Sequence, residues 1–267
     1  METLKSTVDV LKLLDKSNCK KCEEPTCLAF AAKVFKGQKA LEECPKLGKD
    51  IIEAFGSNDI NKVHPEDVRD DALDMLRKEI RHVDLEASAM KLGGVFQRGW
   101  LSIKVLGKDV RVDQEGNIST DIHVNPWIMV PFLNYVIKGS ATGVSGKWVP
   151  FRELKGGKSW GRFFNHKCEK QLKKIADTYT DLFKDMLEIF NGRQVENHYS
   201  SDISLVLLPF PKVPMLISYW KPDDGLESDL NLFFDDTVEE HIDIEAIYTL
   251  GVGLVTMFEK ISLRHGI

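Results

Sequence analysis

Four of the chain's five cysteines fall between residues 19 and 44, as Cys19-x2-Cys22-x4-Cys27-x16-Cys44, and Pro45 follows the last. No other feature constrains the fold as tightly. So short a segment cannot bury enough apolar surface to hold itself together, and its thiols must staple it. Disulfide frameworks belong mostly to short exported chains. This chain has 267 residues, and its first sixteen mix Glu, Lys and Asp with Leu and Val. They lack the unbroken apolar core of a secretory leader, so the expectation is a cytoplasmic protein whose clustered thiols bind metal.

Composition narrows the class. A hydrophobic share of 43% with 29% charged residues is that of a globular protein. The length suits one or two domains. A net charge of −5 argues against nucleic acid or an anionic membrane as a partner. No apolar run reaches the roughly 18 residues that span a bilayer, so no membrane partner is expected.

Thiolate is a soft ligand that suits zinc, copper(I) or iron–sulfur clusters. Zinc sites with four cysteines usually come as two close pairs on separate knuckles. Here the second pair is missing. Three ligands from one loop and a distant Cys-Pro are the habit of four-iron clusters, so the spacing favours [4Fe–4S], with zinc as the alternative.

The rest of the chain alternates between two periodicities. Short helices are expected from Val8 to Leu14, Cys27 to Phe35 with Gly37 closing it, and Asp50 to Phe55. His64-Pro65-Glu66-Asp67 opens a helix running to about Val83. From Val95 to Ile122 the pattern predicts an antiparallel meander with tight turns. Trp127 to Val136 reads as a helix after Pro126, and Cys168 to Phe190 as one long amphipathic helix. Strands follow at 203–208, 215–220 and 229–234, then a helix from Ile244 to His265. The expected fold class is α+β: a small all-helical iron–sulfur module over residues 1–60, then an α+β domain with an antiparallel sheet over 61–267.

The segment Asn18-Cys19-x-x-Cys22-x-x-Pro25-Thr26-Cys27-Leu28-Ala29-Phe30-Ala31, with Gly37 and Glu43-Cys44-Pro45, resembles a small [4Fe–4S] module. That module occurs in the large subunit of the corrinoid iron–sulfur protein of anaerobic carbon fixation. It also occurs in an electron-transport subunit of membrane ion-pumping complexes of anaerobes. The resemblance covers roughly residues 10–50 and implies that Cys19, Cys22, Cys27 and Cys44 are the cluster ligands. The family often has Gly after the first and second cysteines, where this chain has Lys20 and Glu23. Residues of roughly 80–265 resemble a family of unknown function from anaerobes, described as metal-binding and often found behind this module. The matching stretches include Trp148–Leu154, His198–Ile203 and Tyr219–Gly225, and they supply an architecture but no reaction.

Other residues invite a second site, each with a plain structural reading beside it. His166 and Cys168 could offer two metal ligands, while a lone Cys at a helix start also reads as a buried residue or as a slightly activated thiol near the positive end of the dipole. His198 with Asp202, and His123 after Asp121, read as acid–base pairs or as caps. Asp223-Asp224 and Asp235-Asp236 could supply oxygen ligands to a hard cation, although turn chemistry explains the first pair. The loop Gly139–Gly146 suggests a lid but lacks the ending of a phosphate-binding loop. Lys147, Trp148, Arg152, Trp160 and Arg162 set cations beside aromatics, as in a ligand pocket or in ordinary packing.

The expectation is therefore an iron–sulfur redox protein. It takes single electrons from a ferredoxin-like donor and passes them to a cofactor or partner at the C-terminal domain. A corrinoid or methyltransferase protein is the partner the resemblance brings forward, and a corrinoid or second metal is the further cofactor candidate. The alternative is a non-catalytic binding protein with a structural or sensory cluster. Whether the chain is an enzyme is left open by the sequence.

Overall fold

The computed structural model describes residues 7–35, 39–55, 65–120, 126–179, 181–196 and 198–265. The chain divides into two compact units, residues 1–71 and 72–267. Gly37, His64, Asp121 and His123 lie outside the described residues.

The first unit is helical. α1 (Thr7–Leu13) packs on α2 (Cys27–Phe35), and α3 (Lys49–Phe55) follows. The start of α2 is tied down by side chains. The Thr26 hydroxyl accepts from the Ala29 N–H at 3.0 Å, and Asn18 Oδ1 accepts from the Cys27 N–H at 2.7 Å. Such bonds satisfy orphan donors at a helix start. Val10, Leu14, Phe30, Ala31, Val34 and Leu41 form a small core that also contains Cys22, Cys27 and Cys44.

The second unit is α+β. α4 (Pro65–Ile80), which includes the division at residue 71, ends where Gln114 Nε2 donates to the Ile80, Arg81 and Val83 carbonyls at 2.8–3.1 Å. α5 (Leu85–Leu92) follows at once, a helix that the periodicity of the sequence did not reveal. Asp84 accepts from the Ala87 N–H at its start, and Gly93 closes it at a φ of 71°, where a side chain would be strained. The meander is β1 (Val95–Gln97), β2 (Trp100–Val105), β3 (Lys108–Asp113) and β4 (Ile118–Thr120), in that order and antiparallel throughout. Leu106 and Gly107, at φ 49° and 79°, make the β2–β3 turn with two left-handed residues, the form that matches strand twist.

The larger sheet sits on helices. α6 (Pro126–Lys138), β5 (Trp148–Pro150), α7 (Gly157–Phe164), α8 (Lys170–Thr178) and α9 (Leu182–Glu188) lead to β6 (Arg193–Gln194), β7 (Ile203–Phe210), β8 (Val213–Trp220), β9 (Asp229–Asp235) and α10 (Ile244–His265). The antiparallel order is β5-β9-β8-β7-β6. Alternation along the strands splits its faces. Leu205, Leu207, Met215, Ile217, Leu230, Leu232 and Phe234 join the main core, while Val206, Leu216 and Phe233 pack with Trp148 and Val195 on the other side. α10 runs 22 residues against α6, α7 and α8. A Cβ at Gly253 would stand 2.6 Å from the Trp127 Cβ, so glycine lets α10 and α6 approach. By length and composition α10 could cross a membrane. Its Ala246, Ile247, Leu250, Leu254, Val255 and Phe258 are instead buried in the core of this unit.

The single helix expected from Cys168 to Phe190 is in fact three pieces. Residues Asn165–Glu169 form a π-helical turn, α8 ends at Thr178, and Tyr179 is extended at φ −118°, ψ 94°. The apolar spacing carries through because Leu172, Ile175, Tyr179, Leu182 and Met186 all reach the same core. Pattern records burial, and it does not record the break. β7 and β8 run longer than the expected 203–208 and 215–220, taking in Pro209 and Pro214.

Candidate metal centre

All five cysteines are free thiols. In the first unit Cys22, Cys27 and Cys44 are buried among apolar side chains, and Cys19 is half-buried. Low dielectric and excluded water around sulfur are the setting in which a cluster's potential is tuned.

The loop that carries Cys19 and Cys22 bends through four left-handed residues. Lys16, Asn18, Lys20 and Glu23 have φ between 49° and 63°. Lys20 and Glu23 are the positions after the first two cysteines, where the resembling module often has glycine. The backbone explains that preference: a Cβ in this conformation costs about 1–2 kcal/mol. The Glu23 N–H donates to the Lys20 carbonyl at 3.0 Å and closes the turn around Cys22.

A backbone amide bonds one sulfur, and lysine charges lie near the cysteine loop. The Asn18 N–H donates to Cys27 Sγ at 3.3 Å. The Lys21 amide foremost, with the Ser17 hydroxyl and the Lys46 ammonium, lowers the Cys19 thiol's pKa from its ordinary value. Lys46 pairs with Asp15 at 2.8 Å, holding that carboxyl down to about 2, and its charge reaches Cys19 and Cys27. Lys39 Nζ donates to the Cys22 carbonyl at 2.7 Å and pairs with Glu43 at 3.2 Å. Thiolates are favoured where amides and cations converge in this way.

Among the described residues no three His, Cys, Asp or Glu side chains gather as they would around a single metal ion. Around one zinc, four sulfurs would lie about 3.8 Å apart at the usual Zn–S length. In an iron–sulfur cube each thiolate takes its own iron, so the donors stand wider. The donor set fits an iron–sulfur group: four free thiols, three of them buried, one accepting from a backbone amide, with the Lys46 charge felt at Cys19 and Cys27. Cys19, Cys22, Cys27 and Cys44 are the residues that would hold it, and when bound it would supply a one-electron couple.

The other candidate residues do not assemble. Cys168 is fully buried against α10, where a Cβ at Gly251 would lie 3.0 Å from its sulfur, and burial pushes its thiol pKa far up. His166, two residues earlier, is exposed. His198 stands edge-on to Trp148 with ring centroids 6.5 Å apart. Asp202 does not serve as its partner but accepts from the Lys221 N–H at 2.7 Å. Asp223 and Asp224 are exposed in the β8–β9 connection, at the opposite end of β9 from Asp235. Asp235 is fully buried and accepts from the Ser145, Gly146 and Thr237 N–H groups. It thereby anchors the loop Gly139–Gly146, whose Ser140 and Ala141 carbonyls accept from Lys212. Trp160 packs on Tyr248 with centroids 5.2 Å apart, so the aromatic–cation segment is largely packing.

What the sequence did not reveal is a cavity of about 720 Å³ in the second unit, between α8, α9 and the ends of β7 and β8. Asp177 on its wall accepts from the Tyr219 and Ser228 hydroxyls and from Lys173. The quoted stretch Tyr219–Gly225 contains three of its lining residues, Tyr219, Lys221 and Pro222, but nothing in their spacing announces a cavity.

Fold and donor set together define a thiol-rich helical module joined to an antiparallel α+β unit. The chain belongs to the family described as domain of unknown function DUF3786, whose model matches residues 84–257. Residues 14–46 match the family model described as "Putative Fe-S cluster". The acetyl-CoA decarbonylase/synthase complex subunit gamma of Methanocaldococcus jannaschii is 38% identical over 60 residues, 22% of this chain and 12% of that protein. The same subunit of Methanothermobacter thermautotrophicus is 44% identical over 45 residues, 17% and 10% of the two chains. The corrinoid/iron-sulfur protein large subunit of Moorella thermoacetica is 36% identical over 59 residues, 21% and 13%. The match thus spans about a tenth of the length of these relatives. No solved structure matches the chain.

Proposed function

We propose that this chain is a cytoplasmic iron–sulfur redox protein in which Cys19, Cys22, Cys27 and Cys44 hold one [4Fe–4S] cluster. The observation that carries the reading is the set of four free thiols in one small helical unit, in a segment similar to corrinoid/iron-sulfur subunits. Residues 1–60 act as the redox module, and residues 61–267 hold or present the electron acceptor. The chain's own residues have assigned tasks. The Asn18 amide donates to sulfur, the Lys21 amide favours the Cys19 thiolate, Lys46 offsets negative charge, and Phe30, Val34 and Leu41 keep water away from the buried thiols. A ferredoxin-like protein is the donor. A corrinoid protein, in keeping with the name of one similar subunit, or a methyltransferase is the acceptor.

A reductive titration of anaerobically purified protein, followed by spin resonance, tests the redox role. A signal from a half-integer-spin reduced cluster, developing at a potential that a ferredoxin reaches, supports it. A cluster that no donor of that strength reduces removes it. The second reading, a binding protein with a structural cluster, then gains from the cavity in the second unit.

A further inference from the structure

The cavity at Asp177 has a chemistry that no comparison assigns, and it can be inventoried donor by donor. Asp177 already accepts three hydrogen bonds. Its Oδ1 accepts from the Tyr219 hydroxyl at 2.8 Å and the Ser228 hydroxyl at 2.7 Å, and its Oδ2 accepts from Lys173 Nζ at 3.0 Å. Burial and the Asp177 carboxylate push the Tyr219 hydroxyl up to about 12, so it stays protonated and keeps donating.

Tyr219 and Ser228 have therefore committed their protons to Asp177, and towards the cavity each can only accept. Glu227, also on the lining, accepts as well. A ligand must bring hydrogen-bond donors to this side. Lys221 is the opposite case. It is exposed at the rim, its backbone is fixed by Asp202 at 2.7 Å, and its ammonium has no ion-pair partner among the described residues. Lys173 has two further N–H groups beyond the one given to Asp177. The Lys221 ammonium calls for an anionic group, and Lys173, already paired with Asp177, can add a hydrogen bond to it. The rest of the lining is apolar, with Ile203, Pro222 and Phe183, whose ring lies 5.2 Å from that of Tyr219. The volume of about 720 Å³ lies within the range of small-ligand sites.

We infer that this cavity is a binding site for a small zwitterion of amino-acid type with an apolar side chain. Its carboxylate meets Lys221 and Lys173, its ammonium meets Glu227 and the Tyr219 and Ser228 oxygens, and its side chain lies on Phe183 and Ile203. The inference stands apart from the redox reading and needs no cluster.

Isothermal titration of the full chain, purified without oxygen, tests it with four probes: L-phenylalanine, L-leucine, 3-phenylpropionate and 2-phenylethylamine. The expected result is saturable binding of at least one amino acid with a Kd below about 1 mM. The two analogues, each lacking one charge, should bind about tenfold or more weakly, the worth of a charge-assisted hydrogen bond. Lys221→Ala, at an exposed position, should keep the melting temperature and weaken the amino acid by a similar factor. Ser228→Ala should weaken it too. Silence from both amino acids overturns the inference. So does 3-phenylpropionate binding as tightly as phenylalanine, or a Lys221→Ala protein that melts and binds like the parent. Repeating the titration on a Cys27→Ser protein separates the two readings, because amino-acid binding should persist whether or not iron is lost.

Discussion

Asn18 and Cys27 are bonded to each other twice: the Cys27 N–H donates to Asn18 Oδ1 at 2.7 Å, and the Asn18 N–H donates to Cys27 Sγ at 3.3 Å. One residue thus satisfies the start of α2 and the sulfur beside it. Asn18→Ala removes the acceptor and leaves a part-buried amide without a partner, at a cost of about 1–3 kcal/mol. The variant should lose iron faster on chelator challenge and melt lower. Asn18→Asp, which keeps the acceptor, should stay close to the parent. Equal iron loss from parent and Asn18→Ala would show the bond to be incidental.

Lys20 and Glu23 bear left-handed backbones that glycine adopts without a steric cost. Lys20→Gly and Glu23→Gly should each relieve about 1–2 kcal/mol of strain, less the greater flexibility glycine gives the unfolded chain. The net expectation is a gain of roughly 0.5–1 kcal/mol in the first unit, read by denaturant titration. A clear loss of stability in both variants would contradict the backbone assignment.

The Lys46 charge acts on Cys19 and Cys27. Lys46→Met removes it without removing a ligand, so adding an electron becomes harder. Because the ammonium is substantially exposed, solvent screens it and the effect is modest. The midpoint potential should fall, and the shift should shrink as salt is raised. A potential that rises would refute this placement of charge.

Two groups in the second unit set its acid stability in separate windows. His241 is fully buried, and neither ring nitrogen has a hydrogen-bond partner among the described residues. Burial, with Lys212 nearby, lowers its pKa below the ordinary 6.5. The unfolded chain takes up this proton first, so stability present above pH 6.5 is lost as pH falls towards the lowered value. Asp243, just before α10, is also part-buried, which works against its charge. Lys138 at 2.6 Å, the Ala246 N–H and Asn134 outweigh that and hold its pKa below the usual 3.8. Its contribution is present above pH 3.8 and is lost only as pH falls through the lower folded value. His241→Phe should flatten the upper window and hold or raise stability at neutral pH. Asp243→Asn should flatten the lower one and cost about 0.5–2 kcal/mol, as a weakened helix cap does. Denaturant midpoints across pH decide both, and an unchanged profile in either variant contradicts its assignment.

Much of the fold was legible because burial writes a period into the chain. The meander, the three long strands and the helices at 126–138 and 244–265 follow from alternation or three- and four-residue steps. α5 leaves little periodic trace, because its eight residues carry only a weak stripe between two caps. The break at Tyr179 was missed because the residues on both sides of it face one core. The cysteine spacing pointed to the candidate centre, since ligand chemistry there is local in sequence. The cavity could not be anticipated. Asp177 meets Tyr219 and Ser228 only after a helix and a hairpin have folded, and long-range hydrogen bonds leave no periodic trace.

The central claim is that the four N-terminal thiols hold iron and sulfide. Iron and acid-labile sulfide should be assayed together on protein purified without oxygen, with zinc measured in the same sample. The account predicts about four irons and four sulfides per chain, with most of both lost in Cys27→Ser. One zinc per chain with neither iron nor sulfide would contradict it.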